Sequence, residues 1–116
     1  MKVLAVTGFS NTGKTTLIVE LIRHCVARGD RVAAIKHTHH EVNDRDEGDT
    51  ARFRAAGASP VILTNEDAAA QRETLDQLDA DVVLIEGFKA FHGWPRIEAP
   101  AALADALAIL DRIADP

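Results

Sequence analysis

The chain has 116 residues, of which 47% are hydrophobic and 27% charged, and its formal net charge is −5 at pH 7. This balance is typical of a globular protein, and the length predicts a single domain over residues 1–116. The Lys and Arg residues are scattered along the chain, which argues against DNA or RNA as a partner. No apolar run reaches the roughly 18–20 residues that cross a bilayer, and no signal-peptide core precedes the first motif, so we expect a cytoplasmic protein that does not bind membranes.

The first 35 residues have the pattern of a strand, a loop, a helix and a second strand. The apolar run Val3–Thr7 is typical of a central parallel strand covered on both faces. From Thr15 onward, apolar residues recur at three- and four-residue steps, which predicts a helix that ends at Arg28-Gly29. Its apolar face consists of Leu17, Ile18, Leu21, Ile22, Cys25 and Val26. A second buried strand is predicted over Val32–Ile35, which completes a βαβ unit.

The rest of the chain continues this alternation. The polar stretch Lys36–Gly48 predicts a functional loop, after which Asp49 or Thr50 is expected to cap a short helix that Gly57 closes. Further strands are predicted over Pro60–Thr64, Val82–Ile85 and Arg96–Glu98, and further helices over Glu66–Leu78 and Ala101–Ala114. Strands that alternate with helices predict an α/β fold with a mainly parallel sheet.

Residues 8–15 match the pattern of a phosphate-binding loop, in which two glycines separated by four residues are followed by Lys and Thr. Backbone N–H groups in such a loop, with the positive end of the next helix, neutralise a triphosphate. Lys14 is expected to reach the β- and γ-phosphates, and the Thr15 hydroxyl to coordinate Mg²⁺. The predicted phosphate contacts are Gly8, Ser10, Asn11, Thr12, Gly13, Lys14, Thr15 and Thr16. The motif lies between a predicted strand and a predicted helix, which favours a three-layer sandwich of the P-loop NTPase type, with helices on both faces of the sheet.

An acidic residue is expected near the magnesium ion, at the end of a neighbouring buried strand. Glu86 follows the apolar run Val82–Ile85, and Gly87 allows the chain to turn close to a phosphate. Glu86 is therefore the candidate Walker B acid and, with Lys14, a candidate catalytic residue. Asp46 or Asp49 is a further candidate for holding the waters of the metal.

Three histidines follow the second predicted strand, at positions 37, 39 and 40. Their spacing could bind zinc, although no cysteine lies nearby; a phosphate contact by Lys36 and His37, or a polar surface loop, are the alternatives. Arg52 and Arg54 are two residues apart on a helix, so they diverge, and one of them could bind phosphate. Four aromatic residues could cover a purine or pack in the core or an interface: Phe53, Phe88, Phe91 and Trp94.

The sequence resembles the molybdopterin-guanine dinucleotide biosynthesis protein B family, called MobB. The residues that carry the resemblance are Val6–Thr16, which contain the phosphate-binding loop (P-loop), Ala34–His40, Gly48–Thr50 with Arg52 and Arg54, Ala56–Ala58, Leu84–Lys89 and Arg96–Glu98. The resemblance implies a dimeric, Mg²⁺-dependent GTP-binding protein with weak hydrolysis. It also implies an accessory role beside a molybdopterin guanylyltransferase of the MobA type, and contact with molybdopterin or a molybdoenzyme as further possibilities. By the same resemblance, Glu86-Gly87 would lie on the γ-phosphate side, with Asp49 and His37 facing the cleft.

Three functions remain open, of which the first is the one that the resemblance implies. The first is a slow GTPase in molybdenum cofactor assembly, the second a non-catalytic adaptor that uses nucleotide to organise a docking surface, and the third a small-molecule kinase. No positioned Gln or arginine finger is apparent, which predicts slow turnover. The sequence contains no Asn-Lys-x-Asp string to pair with guanine, so the residues do not decide between GTP and ATP.

Overall fold

The part of the chain that the structure describes contains five strands and four helices, which alternate except that the last two strands follow each other in the element order. The structure is a computed structural model that describes residues 1–9, 11–38, 47–87 and 93–114, without the side chains of Glu47 and Ala68. The strands are β1 (Lys2–Thr7), β2 (Val32–His37), β3 (Val61–Thr64), β4 (Val82–Glu86) and β5 (Arg96–Glu98). The helices are α1 (Lys14–Ala27), α2 (Glu47–Ala56), α3 (Ala68–Asp76) and α4 (Leu103–Arg112).

The described strands form one sheet in the order β3-β2-β4-β1-β5, and every neighbouring pair is parallel. The predicted α/β fold with a mainly parallel sheet is therefore confirmed. Because the strands run the same way, their carboxyl ends meet at one edge of the sheet. Strand β4 lies between β1 and β2, and in this register Glu86 is opposite Val6 on one side and Lys36 on the other.

Alternate side chains of the strands point to the two faces of the sheet, and each face has its own hydrophobic cluster. Leu4, Val6, Ala34 and Leu84 belong to the cluster covered by α1, α2 and α4. Residues between them in the strands, such as Ala5, Ile35 and Ile85, belong to the cluster that contains Leu75 of α3. Helices therefore lie on both faces, and the predicted three-layer sandwich is confirmed.

Three local predictions were wrong. Strand β2 continues through Lys36 and His37, which the sequence analysis placed in a loop, because these polar residues still pair with β3 and, in the case of Lys36, with β4. Helix α2 begins at Glu47, so Asp49 and Thr50 lie inside the helix and do not cap it. Val26, assigned to the apolar face of α1, is an exposed hydrophobic residue that lies beside Gly57.

Within the described ranges, no helix combines the length and the apolar character that crossing a lipid bilayer requires.

Candidate functional site

A cavity of about 660 Å³ opens at the carboxyl edge of the sheet. Its volume falls in the range of sites that hold small molecules and cofactors. Residues from the loop before α1, the start of α1, the ends of β2 and β4, and α2 line it: Asn11, Gly13, Lys14, Thr15, Thr16, Lys36, His37, Thr38, Asp49, Arg52, Glu86 and Gly87. This is the position in which open parallel α/β sheets bind ligands.

The N-terminus of α1 faces this cavity without a side-chain cap. Gly13 precedes the helix in the left-handed conformation, with φ 87°, and no acidic residue lies in the first turn. Helix α3 differs, because Asp67 accepts a hydrogen bond from the Ala70 N–H at 2.8 Å and caps that helix. The first N–H groups of α1 thus remain available to an anion, which the helix dipole favours at this end.

Two side chains hold the phosphate-binding loop in shape through bonds to its own carbonyl groups. Lys14 Nζ donates to the carbonyl oxygen of Gly8 at 3.0 Å, and Thr12 Oγ1 donates to that of Phe9 at 2.6 Å. The ammonium group therefore already lies across the loop, in a position from which it can exchange a carbonyl oxygen for a phosphate oxygen. Gly8 and Thr12 support the loop and are not among the residues that line the cavity.

Glu86 contributes a buried carboxylate to the cavity at the end of the strand that neighbours β1. Glu86 is only 6% exposed. It shares a sheet face with Leu84, and that face is the one that α1 covers. Lys36 is its register partner on β2, and the Lys36 ammonium forms an ion pair with Asp49 of α2. The pair lies 13 residues apart in sequence and joins α2 to the end of the sheet beside Glu86.

Gly87 allows the ends of β2 and β4 to approach each other closely. Its φ is +116°, and a Cβ at this position would lie 3.0 Å from His37 Cβ and 3.2 Å from the His37 carbonyl oxygen. A side chain would therefore push apart the two strand ends that carry Lys36 and Glu86.

The imidazole of His37 is oriented by the connection between β3 and α3. Its Nε2 atom lies 2.9 Å from the carbonyl oxygen of Glu66, and because a carbonyl oxygen can only accept, Nε2 carries the proton. His37 lines the cavity, but this hydrogen bond directs the ring toward Glu66. A direct phosphate contact by the ring stays a prediction.

Most of the residues selected from the sequence line this one cavity. They are Asn11, Gly13, Lys14, Thr15, Thr16, His37, Asp49, Glu86 and Gly87. Ser10, His39, His40, Asp46, Phe88 and Phe91 lie outside the described residues. Phe53 is fully buried in the hydrophobic cluster below α1, and Trp94 packs on the opposite face of the sheet, with Arg72 5.9 Å from its ring centroid. Neither of these two aromatic residues lines the cavity.

Sequence reasoning missed one lining residue, Thr38, and did not decide which arginine of α2 faces the site. Thr38 follows β2 directly, so its place at the strand's carboxyl end was a usable signal. Arg52 lines the cavity and Arg54 does not, because residues two positions apart on a helix point in different directions.

The side chains of the cavity fit a magnesium triphosphate in their chemistry. Magnesium prefers oxygen ligands and keeps several waters, and the cavity offers the Thr15 hydroxyl and the carboxylates of Asp49 and Glu86. Among the described residues, no group of three His, Cys, Asp or Glu side chains is placed to enclose a metal ion alone.

The sequence model of the family described as molybdopterin guanine dinucleotide synthesis protein B, or MobB, matches residues 3–109. The chain belongs to the MobB family. The resemblance that the sequence motifs indicated is thereby confirmed.

Two curated relatives are named molybdopterin-guanine dinucleotide biosynthesis adapter proteins. The chain is 41% identical over 100 residues to a molybdopterin-guanine dinucleotide biosynthesis adapter protein of Haemophilus influenzae, covering 74% of this chain and 56% of that protein. It is 37% identical over 102 residues to the protein of that name in Escherichia coli, covering 74% of this chain and 58% of that protein. The chain thus spans little more than half the length of these MobB relatives.

A solved structure of the family agrees with the fold. The crystal structure of Bacillus subtilis MobB superposes with a TM-score of 0.59 at 26% identity, covering 93% of this chain and 73% of that one. The parallel sheet described here, with helices on both faces, therefore matches the fold of a MobB structure over the part that superposes.

Proposed function

We propose that this MobB-family protein binds GTP with Mg²⁺ in the cavity at the start of α1, hydrolyses it slowly, and serves as an accessory protein in the assembly of molybdopterin guanine dinucleotide. The observation that carries the nucleotide part is the convergence of the uncapped α1 N-terminus, the Lys14 ammonium and the Glu86 carboxylate on one cavity. The choice of pathway rests on family membership and on the names of the relatives.

Each group has a role that follows from its chemistry. The first N–H groups of α1 would donate to phosphate oxygens, and Lys14 would move from the Gly8 carbonyl to the β- and γ-phosphates. Thr15, Glu86 and Asp49 would hold the magnesium ion or its waters. The ion, when bound, neutralises charge on the phosphoryl oxygens. No glutamine lines the described part of the cavity to orient an attacking water, which agrees with slow turnover.

The alternative of a non-catalytic adaptor has one specific observation in its favour. The relatives from Haemophilus influenzae and Escherichia coli are named adapter proteins. An adaptor would bind the nucleotide in the same cavity and release it unchanged, so single-turnover assays with labelled GTP separate the two functions. Appearance of labelled GDP and phosphate supports the GTPase, whereas recovery of intact GTP supports the adaptor.

Calorimetric titration with GTP and ATP, each with and without Mg²⁺, tests the nucleotide site. We expect GTP to bind more tightly than ATP. We also expect Lys14→Ala to abolish measurable binding while the fold is retained, because the variant lacks the ammonium group that lies beside the phosphate-binding loop. Glu86→Gln should weaken binding with Mg²⁺ more than binding without it. Unchanged affinity of Lys14→Ala would overturn the site, and equal losses for Glu86→Gln would remove Glu86 from the metal.

The accessory role has its own assay. Formation of molybdopterin guanine dinucleotide by a purified guanylyltransferase is measured with and without this protein. We expect the wild-type protein to increase the yield and Lys14→Ala to be ineffective. An equal yield with both proteins would show that any assistance does not use the nucleotide site.

A further inference from the structure

Helix α2 presents two charged residues to the cavity and two other residues to the core. Asp49 and Arg52 are three positions apart, so they share the side of the helix that lines the cavity. Thr50 and Phe53, also three apart, are buried. Arg54 lies on the exposed remainder of the helix. The position of Arg52 in the site thus follows from how α2 packs.

The packing of α2 against α1 fixes the position of the Arg52 backbone relative to the phosphate-binding loop. The neighbouring Phe53 is fully buried in the cluster that also contains residues of α1. At the end of α2, a Cβ on Gly57 would lie only 3.1 Å from Val26 Cγ2 of α1, so the two helices are in close contact there. Because α1 begins at Lys14, the same packing fixes Arg52 relative to the P-loop lysine.

Arg52 differs from the other basic residues of the cavity in its contacts. Lys14 donates to the Gly8 carbonyl oxygen, Lys36 pairs with Asp49, and His37 donates to the Glu66 carbonyl oxygen. Arg52 makes neither a hydrogen bond nor an ion pair with any residue in the described ranges. A guanidinium group keeps its charge at all accessible pH values, and its planar fork of donors matches two oxygens of a phosphate.

We propose that Arg52 binds the terminal phosphoryl group of the nucleotide and makes the protein prefer a triphosphate to a diphosphate. The P-loop and Lys14 surround the phosphate chain from the α1 side, whereas Arg52 comes from a separate helix that lines the same cavity. Since the P-loop and Lys14 bind the phosphate chain from the α1 side, the phosphate that we assign to Arg52 is the γ-phosphate at the end of that chain. This proposal rests on the nucleotide site proposed above.

Calorimetry with Mg²⁺ and two ligands, GDP and a non-hydrolysable GTP analogue with an imido bridge, tests the assignment. Arg52→Gln should lower the affinity for the triphosphate analogue by about tenfold, the order expected for one charge-assisted hydrogen bond, and that for GDP by less than about twofold. The matched control is Arg54→Gln, which removes an arginine from the same helix outside the cavity and should change neither affinity. Both arginines are exposed, and a thermal unfolding scan checks that each variant is folded.

The outcomes separate this inference from the function on which it rests. If the wild-type protein binds neither nucleotide, the proposed function and the role of Arg52 both fail. If the wild-type protein binds both, and Arg52→Gln weakens them equally, leaves them unchanged or behaves like Arg54→Gln, only the role of Arg52 is overturned. A selective loss of the triphosphate analogue supports it.

Discussion

Adding one methyl group at Gly87 should destabilise the protein by forcing apart the strand ends that form the cavity. Gly87 follows β4, and its N–H donates to the Val6 carbonyl oxygen of β1 at 3.1 Å, so the residue is tied to the neighbouring strand. A Cβ would lie 3.0 Å from His37 Cβ and 3.2 Å from the His37 carbonyl oxygen at the end of β2. The backbone oxygen cannot rotate away as a flexible side chain could.

Two terms contribute to the magnitude. An alanine held at a φ of +116° costs about 1–3 kcal/mol, and the overlap with His37 adds about 1–2 kcal/mol, by analogy with overpacked cores. We therefore expect Gly87→Ala to lower the free energy of unfolding by about 2–5 kcal/mol, a large part of the roughly 5–15 kcal/mol that stabilises a domain.

Urea unfolding monitored by circular dichroism measures this change, and Gly48→Ala is the matched control. Gly48 lies in α2, where a Cβ would meet nothing within 4 Å, so the same substitution there should stabilise the protein by about 0.5 kcal/mol. A loss below about 1 kcal/mol for Gly87→Ala, or equal effects of the two variants, would refute the close approach of β2 and β4 at this point.

Three further predictions concern other parts of the chain. Asp67→Ala removes the cap from α3, since its carboxylate accepts from the Ala70 N–H, and should lower the free energy of unfolding by about 1 kcal/mol in urea; no change would show that the cap does not contribute. Burial raises the pKa of the Cys25 thiol, so iodoacetamide should modify the native protein at pH 8 at least about tenfold more slowly than the urea-unfolded protein, and equal rates would contradict its burial. Hydrogen bonds from Arg31 lower the pKa of Asp81 below its ordinary 3.8. The ionised carboxylate should therefore make its full contribution to the free energy of unfolding above about pH 5, and this contribution should be lost as pH falls through 3.8 and below. The urea midpoint of unfolding should therefore decrease as pH falls, and Asp81→Asn should make this decrease smaller. An equal decrease in the wild type and the variant would exclude the Arg31–Asp81 interaction as its cause.

The fold and the phosphate-binding loop could be predicted because their signals are local. The strand before Gly8, the loop and the amphipathic helix after Gly13 each follow from neighbouring residues, and the buried strand that ends at Glu86 has a continuous apolar pattern. All five described strands matched predicted segments within two residues at each end.

The part of the site formed by β2 and α2 could not be predicted with the same detail. Lys36 is polar and follows an apolar run, which is typical of a loop, yet it remains in β2 because it pairs with β3 and β4, and its ammonium group pairs with Asp49 of α2. Asp49 or Thr50 was expected to cap α2, but the helix already begins at Glu47, so both residues lie inside it. The direction of Arg52 depends on how Phe53 packs below α1, which only the tertiary structure determines.

A crystal structure of the protein with Mg²⁺ and a non-hydrolysable GTP analogue tests the central claim most directly. We expect the β- and γ-phosphates to accept hydrogen bonds from the first N–H groups of α1 and from Lys14 Nζ, with the metal bound by the Thr15 hydroxyl. Nucleotide bound elsewhere, or an α1 N-terminus without phosphate in a crystal that contains the analogue, would contradict the account.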